Sequence, residues 1–578
     1  MISRPNTKLV RIFAAAGALF VFLLMGSCTP TTKLLVQGGE KQATPVPHPP
    51  APPGPHVLIF AFDGVGYNQL MDLIKSDKAP NITGLLGRDQ GGGLYEHAYS
   101  APNAISILPS TTMAAWSSIF SGEPPAYTGV PGNEWFAREQ MQFYAPAPVS
   151  ITDTDDTLKM VTDDLVGKSV MTPTLFEMAG MQSAVSLNPV YRGADVFTTV
   201  TSASFVTMMS DFVAGKAVEA HGIKKALYTR IDIESVPKII DSFDAHGVPS
   251  LQVVYFPGID LYTHVSPDPL SKELDYLQQI TDPLVGQILA EYRKRGLIDE
   301  TYVMIIADHG HTPVMHDEQH ALDSQAQDGP APLMAKTGFR PRPFVLNPAP
   351  NQQDYQVAFA YQGAIAYVYL ADRSTCPKPG DKCDWTKAPR LKEDVLPAAR
   401  AFYWANRTGR DSPKLKRTLD LIFAREPRPP GRKAKEYRIF DGHRLVEIED
   451  YLEDHPRPDL LQLDRRMRWL SAGPYGDRAG DILLLTHSGL ERPIEDRYYF
   501  SGLYHSWHGS ACEQDSHVPL VVACTKCSSQ GVRKLVNQVA HGRAPSQLDV
   551  TPLALTLLKS DGELHGPAAP GNGSPASR

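Results

Sequence analysis

The segment 57-VLIFAFDG-64 is an unbroken apolar run that stops at an aspartate and a glycine. The pattern returns three times. 251-LQVVYF-256 is followed by Asp260 and His264, 302-YVMIIADHG-310 ends in Asp308-His309-Gly310, and His508-Gly509 stands shortly before 518-VPLVVA-523. Continuous apolar runs of this length, separated by helical stretches, are buried strands of a parallel sheet covered on both faces. In such sheets the site lies beyond the carboxyl ends of the strands, where three of these acidic clusters fall. The expected fold is therefore α/β, with a mostly parallel central sheet and helices on both faces.

One Asp-Gly after a strand is usually only a turn, and one histidine is more often hydrogen-bonded than metal-bound. Three aspartates and three histidines at strand ends are harder to dismiss, because buried carboxylates without partners repel one another. Divalent cations relieve that repulsion. Mixed His and Asp donors suit zinc, with Mn²⁺ as the alternative. A further element is 107-ILPSTTMAAWSSIFSG-122, a loop that turns into a helix and carries Ser110, Thr111 and Thr112 at the turn. A hydroxyl there faces free backbone N–H groups and can stand beside a phosphate, although a plain N-cap uses the same residues. Spacing alone does not choose among the three.

The order Asp63, Thr-start helix, Asp260-x-x-x-His264, Asp308-His309-Gly310, His508-Gly509 resembles the alkaline phosphatase superfamily, and within it the nucleotide pyrophosphatase/phosphodiesterase (type I phosphodiesterase) family. That resemblance implies an alkaline-phosphatase-like core with two divalent metal ions, most simply Zn²⁺. Asp260, His264 and His508 would hold one ion, and Asp63, Asp308 and His309 the other. Thr112 would be the metal-bound nucleophile, matched by Ser121-Gly122 where the family has Thr-Gly, and Asn133 would hold a phosphate oxygen. Ala79-Pro80-Asn81-Ile82-Thr83, Gly480-Asp481-Ile482 and Leu548–Pro552 extend the likeness along the core. The chain departs from the family at Met113-Ala114-Ala115-Trp116, where Phe-Pro-Asn-His is usual, and at His311, which replaces a methionine. His505 and His311 are expected to be outer-shell or structural. His316 and His320 have the spacing of a zinc-protease helix, but Asp317 stands where the required Glu would be.

The resemblance spans most of 57–312 and 478–560, so the core is expected at 57–312 and 478–565, with 313–477 as an inserted cap. Residues 1–27 have the layout of an export signal. Arg4, Lys8 and Arg11 precede the apolar run Ile12–Met25, which is shorter than the roughly 20 residues that span a bilayer. Leu24-Met25-Gly26-Ser27-Cys28 resembles a bacterial lipobox, which makes Cys28 the expected lipidation site and the cell envelope the expected location, facing periplasm or exterior. Residues 28–56 hold a proline-rich spacer, with seven prolines in Pro45–Pro55, and 566–578 form a Gly/Pro/Ala-rich tail.

Composition closes off other classes. Among 578 residues, 56 Lys+Arg stand against 63 Asp+Glu, a net charge of −7, and 42% are hydrophobic. This is neither a disordered acidic chain nor a basic nucleic-acid scaffold. Six cysteines are too few for a disulfide-built fold, although Cys376/Cys383 and Cys524/Cys527 are close enough to pair. The expected partners are a small phosphoester or nucleotide-like substrate and, through the lipid anchor, a membrane. A phosphomonoesterase on the same fold and a non-catalytic surface-binding lipoprotein are the competing readings. Between Arg88 and Arg138 there is no Lys or Arg, which favours a diester over a monoester dianion. Trp135 and Phe136 are expected either to face the diester's second substituent or to lie in the core.

Overall fold

The computed structural model describes residues 39–42, 48, 54–200, 227–429 and 432–560. The expected signal peptide 1–27, Cys28 and the tail 566–578 lie outside the described residues. The central strands are β1 (His56–Phe62), β2 (Ser183–Ser186), β3 (Val196–Thr199), β4 (Leu251–Phe256), β5 (Thr301–Ala307) and β6 (Leu520–Ala523). They lie in the order β3-β2-β4-β1-β5-β6. The five strands from β3 to β5 are mutually parallel. Every residue of β1, β4 and β5 is buried, so both faces of the sheet are covered, as the apolar runs predict. β6 returns antiparallel to β5, and short antiparallel strands at Ala98–Ser100, Leu94–Tyr95 and Asp89–Gly91 complete that side.

Register places the site. Phe62 pairs with Phe256 on one side and Ala307 on the other, so β1, β4 and β5 end level with one another. Asp63 and Asp308 therefore leave the sheet as neighbours on adjacent strands, roughly 4.8 Å apart. The helix Gly258–Val265 starts two residues after β4 and carries Asp260 and His264 one turn apart, on one face. Because β6 runs antiparallel with Leu520 opposite Ile306, the chain that leads into it arrives at this same edge and brings His508 with it.

A second, antiparallel sheet joins Val357–Tyr361, Ile365–Leu370, Ile482–Thr486, Leu419–Ala424, Arg438–Phe440 and Leu445–Val446, in that order. Ile482–Thr486 lies in its middle, not in the central sheet, so the inserted lobe reaches beyond the expected boundary at 477. A run buried on both faces fits either sheet, and local sequence does not say which. The lobe is fastened to the core through the buried pair Arg138–Asp481, at 2.5 Å. Trp135 and Phe136 are core residues. Trp135 stacks on Tyr144 at 5.1 Å, and Phe136 meets Trp385 edge-on at 4.9 Å.

The expected spacer differs from the structure at its described positions. Gly39–Gln42 pairs antiparallel with β3 along the sheet edge, and His48 binds Asp195 through its backbone N–H and its ring. Disulfides join Cys376 to Cys383 and Cys524 to Cys527, while Cys512 is free and buried. Among the described residues no helix is long and apolar enough to cross a membrane.

Candidate metal centre

All seven expected ligand and nucleophile side chains meet at the carboxyl edge of β1, β4 and β5. Ligand atoms of Asp260, His264 and His508 lie within 4.8 Å of one another, and so do those of Asp63, Asp308 and His309. The Thr112 hydroxyl opens the helix Thr112–Ile119 and stands 3.3 Å from His309 Nε2. Its neighbours do not compete. The Ser110 hydroxyl is held by Ser106, Ser516 and the carbonyl of Ser510, and Thr111 is buried as the N-cap.

The imidazoles are oriented for metal. Nδ1 of His264 faces the carbonyl of Ser506 at 2.6 Å, that of His508 the carbonyl of Ser110 at 2.9 Å, and that of His309 the carbonyl of Gly310 at 3.2 Å. A carbonyl oxygen only accepts, so each Nδ1 carries the proton and each Nε2 presents a lone pair to the centre. Asp63 Oδ1 and Asp308 Oδ2 are buried without hydrogen-bond partners among the described residues. Burial, together with the charges of Asp308 and Asp260, pushes the Asp63 carboxyl well above its usual range, and burial carries Asp308 up to about 7. Burial drives His309 down to about 3 and His508 well below its ordinary value. The depressed imidazoles of His309 and His508, set beside these buried carboxylates, belong to a donor set that divalent cations fit.

His311, expected to be outer-shell or structural, lies in the cluster itself. Its Nε2 is 2.9 Å from Asp260 Oδ1, and it forms a third potential ligand group with Asp260 and His309. The signal in sequence is its position two residues after His309, on the same exit from β5. His505 stays outside and stacks on His316 at 4.2 Å, while His320 pairs with Asp317. Gly64 has φ +71°, and a Cβ there would lie 2.5 Å from His311 Nε2 and 2.8 Å from Asp260 Oδ1.

The inserted lobe reaches the same place. Asn133 lines the cleft, and its side-chain carbonyl accepts the Met113 N–H at 3.0 Å. Its own N–H is held by Gln362 of the lobe at 2.6 Å. Gly509, at φ +107°, lies against the Gln362 carbonyl, 2.2 Å from where a Cβ would stand. Arg466, also from the lobe, is fully buried and donates to Ser106, Ser110, Ser516 and the Ile107 carbonyl. Among the described residues it has no carboxylate in ion-pair range, and burial lowers its guanidinium to about 9.

A cleft of about 100 Å³ opens from the metal end, where Asp63, Thr112, Asn133, Asp260, His264 and His508 face it. Leu187, on its wall, holds φ +62°, a left-handed conformation that costs a leucine about 1–2 kcal/mol. No Lys or Arg is among the described lining residues. Arg192 is taken up by Glu177 and three backbone carbonyls.

The fold is α/β with a mostly parallel central sheet, and its strand ends carry buried groups that could hold divalent metal ions. The family model of type I phosphodiesterases / nucleotide pyrophosphatases matches residues 57–428, and the chain belongs to that family, whose members are phosphoric ester hydrolases. No curated protein sequence matches at a significant level. Among solved structures, the murine ectonucleotide pyrophosphatase / phosphodiesterase 5 is similar at 12% identity, with 88% of this chain and 97% of that one covered and a TM-score of 0.46. The human counterpart is similar at 13% identity over 90% and 97%, TM-score 0.47. An inactive variant of the murine protein in complex with AMP gives 12% over 89% and 97%, TM-score 0.47.

Proposed function

We propose that this protein is an exported, lipid-anchored phosphodiesterase that works through a covalent phosphothreonine at Thr112. Asp260, His264 and His508 would hold one divalent ion and Asp63, Asp308 and His309 the other, with zinc the match for these donors and His311 an added one. Bound there, the ions supply Lewis-acid stabilisation of charge and lower the pKa of an adjacent hydroxyl. Thr112 Oγ1 gives up its proton to solvent, which returns one to the departing alkoxide, and attacks phosphorus in line. The bond from phosphorus to the departing alcohol breaks, and the remaining phosphoryl group is left esterified to Thr112. Water then attacks phosphorus, the bond to Thr112 breaks, and the hydroxyl is restored. Asn133, fixed by Met113 and Gln362, donates from its amide to a non-bridging oxygen.

The observation that carries this reading is the Thr112 hydroxyl, 3.3 Å from His309 Nε2 at a helix start that opens into the cleft. Diesters are favoured over monoesters because no cation lines the described wall to meet a second phosphate charge. Export is supported by the signal-like N-terminus and by the two disulfides. If Cys28 bears the lipid, ten residues separate it from Gly39 on the sheet edge, a reach of at most about 35–40 Å.

The test is a kinetic panel of aryl phosphodiesters and monoesters on purified, zinc-loaded protein. A higher kcat/KM for diesters is expected. A clear monoester preference would move the assignment to a phosphomonoesterase, and metal-loaded protein inert toward both would favour a binding role.

A further inference from the structure

The metal end of the cleft is polar, but the rest of its wall is not. The Pro146–Val149 loop, Met160 and Val161 of the helix Asp155–Thr162, Leu187, Ile231 and Leu261 form it. Away from the metal end, Thr157 is the polar side chain among the described lining residues, and its buried hydroxyl has no hydrogen-bond partner there. The leucine at 187 is held in a left-handed backbone conformation, so an aliphatic group is kept on this wall at a local conformational cost.

This surface suits neither half of a nucleotide. A nucleobase is recognised by stacking on open aromatic faces or by hydrogen bonds to its edge. The two large aromatic rings on the lining are already engaged. Tyr255 donates its hydroxyl to Asp63 and meets Trp116 edge-on at 5.3 Å, and Trp507 packs between His264 at 4.7 Å and Tyr504 at 5.5 Å. A phosphoanhydride would bring further negative charge to a wall whose described residues carry no cation.

We infer that the cleft takes an aliphatic substituent, so that the substrate is a phosphodiester of a hydrocarbon-like alcohol rather than a nucleotide. This rests on the phosphodiesterase reading and adds to it. Such a group loses its hydration against the walls, and each buried methylene is worth about a fourfold gain in affinity.

The experiment uses zinc-loaded protein turning over one aryl methyl phosphodiester. Dimethyl, methyl butyl and methyl octyl phosphate, with a nucleoside 5′-methyl phosphate, are compared as competitive inhibitors. Either substituent of these unactivated diesters is free to enter the cleft. The inhibition constant should fall at least tenfold from methyl to octyl, and the octyl ester should bind more tightly than the nucleoside ester. Val161→Asp, on the half-buried wall, should collapse the octyl-to-methyl ratio, with metal content and circular dichroism confirming that the variant is folded. Inhibition constants independent of chain length, or tighter binding of the nucleoside ester, would overturn the inference while turnover of the aryl diester left the phosphodiesterase reading intact. Failure to turn over the aryl diester would instead strike the underlying reading, and direct calorimetric binding of the same esters would still decide for or against the aliphatic site.

Discussion

Replacing Gly64 by alanine adds one methyl group, and the structure says where it must go. At φ +71° the left-handed backbone alone costs a non-glycine residue about 1–2 kcal/mol. The new Cβ would stand 2.5 Å from His311 Nε2 and 2.8 Å from Asp260 Oδ1. Carbon contacts settle near 3.5 Å or beyond, so these two atoms must retreat by roughly 0.7–1 Å. Neither is a loose end. His311 Nδ1 is 3.0 Å from the Ser506 hydroxyl, and Asp260 belongs to a buried helix face. Metal sites tolerate only about 0.2 Å of ligand displacement, and disturbing even supporting groups costs about 10–100-fold in affinity. Gly64→Ala should therefore weaken metal binding by at least 10–100-fold, about 1.4–2.8 kcal/mol. Competition with a chromophoric chelator measures this directly. Thermal unfolding with and without chelator gives a second readout, in which the stabilisation conferred by metal on the wild type should shrink in the variant. A Gly64→Ala protein that keeps two metal ions at wild-type affinity would refute the placement of Asp260 and His311 beside Gly64.

Thr112→Ala should abolish turnover with metal content largely intact, and Thr112→Ser should keep part of the rate; full activity in the alanine variant, by steady-state kinetics, would move the nucleophile to another hydroxyl or to water. His311→Met, which restores the residue usual in the family, should lower metal affinity by about 10-fold or more in the same chelator competition, because a donor within the cluster is lost. Asp260→Ala and Asp308→Ala should each lose metal together with activity, and elemental analysis that finds wild-type metal in either would contradict the ligand sets. Cys28→Ser should shift the protein from the membrane to the soluble fraction with kcat/KM unchanged, and unaltered partitioning would rule out the lipid anchor.

The strand ends were legible because a buried strand and a ligand make opposite demands on sequence. Val57–Phe62 is apolar without interruption since both faces are covered, so the charge at Asp63 marks where the sheet ends. The same contrast reveals Asp308-His309 after β5 and, at one remove, Asp260 after β4. Periodicity does not carry partner identity. Ile482–Thr486 reads as a buried strand, but only the tertiary fold decides that its neighbours are Ile365–Leu370 and Leu419–Ala424. Gly39–Gln42 is short and polar, and its pairing with β3 is a long-range contact that no local pattern announces. His311 was visible as a residue but not as a member of the centre, because the family comparison puts an uncharged methionine there. The aliphatic wall was hidden for another reason: Val149, Val161, Leu187, Ile231 and Leu261 come from five separate stretches of chain, each unremarkable alone.

The hold of Arg466 on Ser106 and Ser110 bears on how such a protein can be divided or recombined. The residue that braces the loop before Thr112 lies some 350 positions further along the chain, in the inserted lobe. A protein trimmed to the central sheet would retain Asp63, Asp260, His264, Asp308, His309 and His508 in sequence, yet the hydroxyls under Thr112 would lose their shared donor. Exchange of the lobe between relatives, as a means of grafting specificity, therefore has to carry a guanidinium to this position or repack the serines beneath it. The lobe and the Ser106–Thr112 loop are tied to one another in space, although the chain visits them far apart.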